Sequence, residues 1–194
     1  AGGIRFGSAY NADALLDQGY QFDFYDGGGL DLCYLGLAEC DGHGNINVSR
    51  FGPRIAGCGG FINITQNTHK VFFCGTFTAG GLKVKVEDGK VIIAQEGKQK
   101  KFLKDVEQIT FNGDIALQNK QEVMYITERC VFQLKEDGMH LTEIAPGIDL
   151  QTQILDMMDF EPIVDRDANG EIKLMDAKLF AEGLMGLKEM KESC

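Results

Sequence analysis

The chain has 194 residues, of which 44% are hydrophobic and 25% are charged, and its formal net charge is -10. This composition predicts one globular domain that buries about 70% of the surface its unfolded form exposes. The negative charge repels phosphate backbones and anionic lipids, and no apolar run approaches the ~20 residues that span a bilayer. The sequence therefore predicts no nucleic-acid partner and no membrane role.

Apolar periodicity and turn residues define the predicted elements. Short apolar runs bounded by glycine predict buried strands in the first half, and Asp-Gly turns between alternating segments predict two hairpins in the middle. Apolar steps of three or four residues predict helices near the end. In chain order we predict a helix at 10–18, strands at 22–25 and 30–37, an extended segment at 46–48, a helix at 61–66, a strand at 70–78, hairpins at 82–93 and 130–144, and helices at 149–158 and 176–190.

This order of elements predicts an α/β fold: an open, mostly parallel sheet with flanking helices and an antiparallel hairpin extension. We expect a single domain over residues 1–194, with a hairpin-rich insert at about 82–145 and a helical tail at about 148–192. No internal repeat and no Pro- or Ser-rich linker indicates a second domain.

Most of the cysteines lie inside apolar runs, where cysteine acts as a small buried hydrophobic residue. Reduced thiols of this kind are typical of the cytoplasm, which is the predicted location. A zinc site built from Cys33, Cys40 and His43 is a weaker alternative because no CxxC pair and no fourth ligand accompany it, so we expect no metal. The six cysteines are at positions 33, 40, 58, 74, 130 and 194.

The most informative segment is Arg54-Ile55-Ala56-Gly57-Cys58-Gly59-Gly60-Phe61-Ile62-Asn63. Glycines lack Cβ atoms, so the backbone turns tightly and a ligand can touch its amides. A helix is predicted to start directly after this loop, and helix starts present free N–H groups to phosphates, carboxylates or oxyanions. Gly57, Cys58, Gly59, Gly60 and Phe61 are therefore candidates for binding an anion.

Other candidates follow the predicted strands. The three glycines 27–29 exceed what a turn needs, which suggests close approach of backbone or ligand. Glu39 and Asp41 end an apolar strand, where α/β sites tend to lie, although Asp41 fits better as a turn residue beside Gly42.

Basic and histidine side chains give weaker signals. A cluster at Lys98, Lys100, Lys101 and Lys104 could hold a phosphorylated ligand, with a solvated loop as the more frequent alternative. The histidines at 43, 69 and 140 lie in no triad context, so we interpret them as surface or packing residues.

Four ordered motifs are more specific than any single loop. They are Asp26-Gly27-Gly28-Gly29-Leu30-Asp31, Leu35-Gly36-Leu37-Ala38-Glu39, Gly44-Asn45-Ile46-Asn47-Val48-Ser49 and Gly57-Cys58-Gly59-Gly60-Phe61-Ile62-Asn63. Together they resemble the C-terminal part of the family I CoA-transferases, most closely the propionate CoA-transferases of the acetate/propionate type. The resemblance covers essentially the whole chain and implies a fold of the NagB/RpiA-like kind.

The resemblance implies an enzyme that moves CoA between short-chain carboxylic acids. In that family a glutamate attacks the acyl-CoA, passes through a mixed anhydride and holds CoA as a thioester, which a second acid then releases. The loop at 57–61 matches the segment at the sulfur end of CoA, and CoA is a substrate, with no tightly bound cofactor implied. The implied substrate-pocket candidates are Gly27, Gly28, Gly29, Gly36, Glu39 and Asn47.

The family's nucleophilic glutamate lies in a Glu-x-Gly loop just before the segment that matches Ala1-Gly2-Gly3, so we assign the nucleophile to no glutamate of this chain. We expect the chain to be inactive alone and to need the N-terminal half of the enzyme, in a homo-oligomer. The alternative is a non-catalytic module that binds CoA or another phosphate ligand through the loop.

Overall fold

The computed structural model describes residues 10–181 together with residues 185 and 191. Short 3-10 helices are found at Leu155–Met157 and Ala177–Phe180. The helices are α1 (Gln18–Asp26), α2 (Phe61–Gln66), α3 (Gly113–Gln118) and α4 (Leu150–Gln153). The strands are β1 (Leu32–Gly36), β2 (Glu39–Cys40), β3 (Ile46–Asn47), β4 (Arg50–Phe51), β5 (Arg54–Ile55), β6 (Lys70–Cys74), β7 (Thr78–Ala79), β8 (Lys83–Glu87), β9 (Lys90–Gln95), β10 (Gln99–Lys100), β11 (Glu122–Ile126), β12 (Cys130–Lys135), β13 (Gly138–Ile144) and β14 (Ile163–Val164).

A six-stranded sheet in the order β1-β6-β11-β12-β13-β14 organises the fold. The pairs β1–β6, β6–β11 and β13–β14 are parallel, whereas β12 pairs antiparallel with both of its neighbours. Helix α2 lies in the connection from β1 to β6, and α3 lies in the connection from β6 to β11. The predicted mostly parallel sheet with flanking helices and an antiparallel extension is confirmed.

One face of this sheet forms the core. The strand register aligns Leu35, Phe73, Tyr125 and Phe132 in one row across β1, β6, β11 and β12. Helix α2 covers this row through Phe61, whose ring stacks on Phe73 with centroids 5.7 Å apart. Burying an aromatic side chain of this size contributes about 1.5–3 kcal/mol to stability, so this packing fixes α2 against the sheet.

The prediction was wrong for residues 10–26. The helix begins at Gln18 instead of residue 10, where the Asp17 carboxylate caps it by accepting a hydrogen bond from the Gly19 amide at 3.0 Å. The predicted strand at 22–25 lies inside this helix. A four-residue apolar run fits a strand or a helix equally well, so periodicity alone did not distinguish them.

Both predicted hairpins are present. The Asp88-Gly89 turn has φ angles of 51° and 73°, as a two-residue hairpin turn requires, and it joins β8 to β9 in a sheet of their own. The second hairpin, β12–β13, belongs instead to the central sheet. The stretch predicted as a hairpin-rich insert therefore also supplies strands of the main fold.

The helical tail is more interrupted than predicted. Helix α4 stops at Gln153, and a 3-10 turn follows Ile154, whose φ of -124° is not helical and whose side chain is fully buried. Asp176 caps the next helical turn as predicted, by accepting a hydrogen bond from the Lys178 amide at 2.9 Å. Residues 182–184 and 186–190 of the predicted last helix lie outside the described residues.

Candidate active site

The carboxyl ends of β1, β6 and β11 define one edge of the sheet. The register aligns Gly36, Cys74 and Ile126, the last residues of these three parallel strands. In open α/β sheets ligands bind in the crevice outside this edge. Helix α2 runs back from this edge towards the start of β6, so the glycine loop before α2 lies at the same edge.

The glycine loop is open to solvent. Gly57 and Gly59 have φ angles of 79° and 53°, a conformation that side chains disfavour. A Cβ atom built on either glycine would meet no atom within 4 Å. Space therefore exists above the loop backbone for a ligand to approach.

The loop amides divide into engaged and available groups. The Gly57 amide donates to the Ser49 carbonyl at 3.0 Å, and the Phe61 amide donates to the Cys58 carbonyl at 3.0 Å. Within residues 10–181, the amides of Cys58, Gly59 and Gly60 donate to no acceptor. Three successive amides in a glycine turn suit an anion. Of the five residues predicted to bind an anion, these three therefore have amides available for it.

A cleft of about 730 Å³ lies beyond β1 and includes Ala38, Glu39, Arg54, Lys100 and Lys101 in its lining. Arg54 belongs to this lining and comes just before the glycine loop in the sequence, so the cleft adjoins the loop. Of the predicted lysine cluster, only Lys100 and Lys101 line this cleft. Its lining carries three positive charges and one carboxylate, which favours an anionic ligand.

These positive groups differ in how they are held. The Arg54 side chain is exposed and has no acidic partner among the described residues, whereas Lys100 pairs with Asp159 at 2.8 Å. Lys101 is only 7% exposed, and its amine donates to the Thr76 carbonyl at 2.6 Å. Burial lowers the pKa of Lys101, although the negative charge of Glu128 opposes the shift. Arg54 is thus the cation most available to a ligand.

Glu39 and Asn47 lie together, but they have different roles. Asn47 is fully buried, and its Nδ2 donates to Glu39 Oε2 at 2.7 Å and to the Arg50 carbonyl at 2.6 Å. Its Oδ1 accepts from the Ser49 and Arg50 amides. Asn47 therefore holds the turn at residues 47–50 and positions Glu39, which lines the cleft.

The glycines at 27–29 lie in a different environment. Their amides donate to the carbonyls of Asp23, Tyr25 and Phe24 at 2.9–3.0 Å, which closes the end of α1. These contacts leave no amide for a ligand, so the structure does not support the predicted substrate pocket there. Gly36, at the end of β1, has open space around it and adjoins the cleft residue Leu37.

A buried ionic cluster that the sequence did not predict lies at the same edge, directly after β11. The Arg129 side chain is fully buried, its guanidinium pairs with both Glu96 oxygens at 2.8 and 3.1 Å, and its Nε donates to Glu128 at 2.7 Å. Burial lowers the pKa of Arg129, but hydrogen bonds to the two carboxylates outweigh it, so the pKa is raised. In the sequence, the charged pair Glu128-Arg129 between two apolar strands is the feature that could have indicated this cluster.

The remaining polar candidates have structural roles. Asp41 accepts hydrogen bonds from the His43 and Asn45 amides at 3.0 and 3.1 Å, which confirms it as a turn residue. His140 lies between Asp137 and Asp165, 2.8 and 2.6 Å away, and this fits a packing role.

Five of the cysteines lie in the described part of the chain, and all five are free. Burial raises the pKa of the Cys40 thiol well above its usual value, as expected of an inert core residue. Cys58 and Cys74 are exposed, however. Residues 10–181 contain no cluster of three or more metal-binding side chains, and no helix in that range is long and apolar enough to cross a bilayer.

Comparison with known proteins relates the chain to CoA-transferases. It is 55% identical over 184 residues to acetate CoA-transferase YdiF of Escherichia coli K12, and 55% identical over 188 residues to caffeate CoA-transferase of Acetobacterium woodii. These alignments cover 95% and 94% of this chain, but only 34% and 35% of the relatives. The chain thus spans about a third of the length of the curated relatives it matches.

A solved structure and a more distant relative agree with this similarity. The acyl-CoA transferase YdiF of E. coli O157:H7, solved as a thioester complex with CoA, superposes with a TM-score of 0.86 and 56% identity, over 91% of this chain and 34% of that one. Acetate CoA-transferase subunit beta of Haemophilus influenzae is 28% identical over 72% of this chain and 53% of its own length. No protein-family model matches the chain.

Proposed function

We propose that this chain is the C-terminal part of a CoA-transferase that moves CoA between short-chain carboxylic acids, with acetate and propionate as the expected acids. The observation that carries the proposal is the 55% identity to acetate CoA-transferase YdiF over 95% of the chain. The fold agrees with the CoA thioester complex of the E. coli O157:H7 enzyme.

The proposed reaction uses a glutamate supplied by a segment outside these 194 residues. Its carboxylate oxygen attacks the acyl-CoA carbonyl and expels the CoA thiolate, which leaves a mixed anhydride. The thiolate then attacks the glutamyl carbonyl and releases the first acid, so that CoA is held as a thioester. A second acid reverses both steps and leaves as the new acyl-CoA.

Each attack creates a negatively charged oxygen, which the free amides of Cys58, Gly59 and Gly60 are suited to stabilise. A donor already in place when the charge develops costs no reorganisation, and one such donor is worth about 10²–10³ in rate. The adjoining cleft would hold the rest of the substrate. We assign the CoA phosphates to Arg54 and Lys100, because phosphate groups need accessible cations.

The proposal includes a partner and a location. The rest of the catalytic site is expected from the N-terminal half of the enzyme, and the H. influenzae relative, a subunit by name, is consistent with an assembly of separate pieces. A homo-oligomer and a cytoplasmic location remain predictions. The free thiols of the five described cysteines fit a reducing compartment.

A hybrid enzyme tests the proposal: this chain replaces the matching third of acetate CoA-transferase YdiF from E. coli K12. We expect the hybrid enzyme to exchange CoA between propionyl-CoA and acetate with ping-pong kinetics, and to form a CoA thioester detectable by intact mass. The chain alone should do neither. A folded hybrid that exchanges no acid, together with tight CoA binding by the chain alone, would instead support the non-catalytic binding module.

A further inference from the structure

Two buried cations lie at the carboxyl edge of the sheet, and they differ in how their charge is balanced. Arg129 is fully buried, and its guanidinium pairs with the carboxylates of Glu96 and Glu128. Lys101 is only 7% exposed, yet its amine forms no ion pair with a carboxylate of the described residues. Lysine is rarely buried without a paired charge. The chain therefore balances the charge of Arg129 and leaves that of Lys101 without a direct partner.

The acidic side chain nearest in effect to Lys101 is already engaged. Burial lowers the pKa of Lys101, and Glu128 is the carboxylate that opposes this shift. One Glu128 oxygen accepts a hydrogen bond from Arg129 Nε at 2.7 Å, and the other accepts from the Phe77 amide at 2.8 Å. Because both oxygens have these partners and the charge already serves Arg129, Glu128 is not a separate counter-ion for Lys101.

The hydrogen bonds of the Lys101 amine are also incomplete within the described part of the chain. A lysine ammonium carries three N–H donors, and the acceptor found here is the Thr76 carbonyl at 2.6 Å. A buried charge whose donors lack partners is costly, and the cost falls when a charged acceptor binds. The remaining donors of Lys101 therefore suit an anion that comes from outside this chain.

Lys101 lies between the ends of β1 and β6. Its backbone carbonyl accepts a hydrogen bond from the Cys40 amide at 2.8 Å, in the segment that follows β1. Its amine reaches the Thr76 carbonyl, two residues after β6 ends at Cys74. A Cβ atom on Gly75 would lie only 3.1 Å from this amine. The amine therefore occupies the space beside the glycine that directly follows β6, at the edge where ligands of such sheets bind.

The cations that line the cleft differ in exposure. Arg54 and Lys100 are exposed, whereas Lys101 is buried, so the lining has an outer and an inner positive region. Opposite charges attract more strongly where water is excluded. The inner region therefore favours a small anion that gives up its water. In the proposed reaction, the small anions are the carboxylates of the acids that give and take CoA.

We infer that the Lys101 amine binds the carboxylate of the free acid substrate at the inner end of the cleft. The inference rests on the proposed function and adds the group that recognises the acid. Lys101 holds one carboxylate oxygen through a charge-assisted hydrogen bond, and the other oxygen attacks the glutamyl carbonyl. The new C–O bond replaces the C–S bond, CoA leaves as a thiolate, and the lysine neither gains nor loses a proton.

Discharge of the enzyme-bound CoA thioester isolates the step that uses the acid. The hybrid enzyme is loaded with acetyl-CoA, and its thioester is then discharged with acetate in a single turnover. Lys101→Met removes the charge at similar side-chain length, so the acetate concentration for half-maximal discharge should rise about tenfold to a hundredfold. Lys104→Met is the matched control, because Lys104 is exposed outside the cleft lining, and it should leave this concentration unchanged.

Discharge by hydroxylamine distinguishes acid binding from a general support of the site. Hydroxylamine is mostly uncharged near neutral pH, so its attack on the thioester needs no cation to bind it. We expect the Lys101→Met variant and the unaltered hybrid enzyme to be discharged by hydroxylamine at the same rate. A loss with hydroxylamine as large as the loss with acetate would show that Lys101 only positions its neighbours, and this would overturn the inference.

A measurement on the unaltered hybrid enzyme decides the question if Lys101→Met does not fold. Trace acetylation of the amines with acetic anhydride, followed by peptide mass mapping, gives the rate at which Lys101 reacts. Propionate should slow this reaction several-fold compared with chloride at the same ionic strength, and it should leave the rate at Lys104 unchanged. Equal rates at Lys101 in propionate and in chloride would contradict a carboxylate site there.

Failure of this inference is separable from failure of the proposed function. A hybrid enzyme that exchanges CoA, and whose acetate dependence is unchanged by Lys101→Met, would overturn the inference alone. A rise confined to the KM for acyl-CoA would assign Lys101 to the CoA phosphates and would overturn it as well. A hybrid enzyme without exchange, in which propionate still protects Lys101, would count against the transferase function and support the carboxylate site.

Discussion

Two glycine-rich segments, Gly27–Gly29 and Gly57–Gly60, have similar sequences but opposite surroundings. In the first, all three amides donate to carbonyls of α1, and the segment ends a helix. In the second, the Gly57 amide donates to the Ser49 carbonyl, while the amides of Cys58, Gly59 and Gly60, at the carboxyl edge of the sheet, have no acceptor in the part of the chain that the structure describes. A cluster of glycines therefore indicates only that the backbone must turn. Whether it binds a ligand depends on whether the protein uses the amides itself.

The largest expected effect is at Gly59. Gly59→Val should force the loop out of its φ of 53° and misplace the free amides, so we expect kcat of the hybrid enzyme to fall by about 10²–10³. Gly52→Val is the matched control, because Gly52 has a φ of 56° and equally open space but lies in the β4–β5 turn. Steady-state kinetics would be measured for both variants, and an equal loss of activity would show that strain at a positive-φ glycine, and not the amides at 58–60, accounts for the effect.

Gly60 is a less suitable position for this test. A Cβ atom there would lie 2.8 Å from the Phe22 ring of α1. A substitution would therefore disturb the packing of α1 as well as the loop, and the two effects would be mixed.

A smaller effect is expected at Arg54, the exposed cation that precedes the glycine loop. A charge-assisted hydrogen bond is worth about 1.5–3 kcal/mol, so Arg54→Ala should raise the KM for acyl-CoA about tenfold or more, and leave the KM for the free acid nearly unchanged. Lys98→Ala serves as the control, because Lys98 is exposed outside the cleft lining. A higher KM for the acid alone would assign Arg54 to the carboxylate instead.

A substitution at Gly28 tests the first segment, Gly27–Gly29, whose amides donate to carbonyls of α1. Its φ is 79°, and a Cβ atom there would have ordinary contacts, 3.8 Å from the Asn67 carbonyl oxygen. Gly28→Ala should therefore lower the free energy of unfolding by about 1 kcal/mol through backbone strain, measured by urea denaturation. Exchange activity should not change. A large loss of activity with normal stability would return this segment to the substrate pocket.

The smallest effect is expected at the contact that joins the two segments. Asn63, just after the glycine loop, donates to both carboxylate oxygens of Asp26, just before Gly27, at 2.9 and 3.0 Å. Because this pair is exposed, Asn63→Ala should cost only about 0.5–1 kcal/mol of stability by thermal melting. Gln66→Ala, on the same helix, is the control. A marked fall in kcat would show that α1 positions the loop.

Local sequence signals identified much of this fold. Asp88-Gly89 fixes a hairpin because only a few residues accept two successive positive φ angles. The apolar runs at 30–37 and 70–78 correctly predicted the strands β1 and β6, but β1 is largely exposed and not buried on both faces as expected. The same reasoning failed where local signals were ambiguous, at residues 22–25, which form part of α1. It also missed α3, a helix of six residues that is too short for apolar periodicity to reveal.

The candidate site also divides into features that the sequence predicted and features that it did not. The sequence by itself determined that a glycine-rich turn precedes α2, that Asp41 makes a turn, and that motifs across the chain resemble those of CoA-transferases. Only the tertiary structure decided which amides are free, that Asn47 is a buried support for Glu39, and that Arg129 lies within the protein between two carboxylates. Hydrogen bonding and burial between residues far apart in the chain set these roles, and local sequence patterns do not record such contacts.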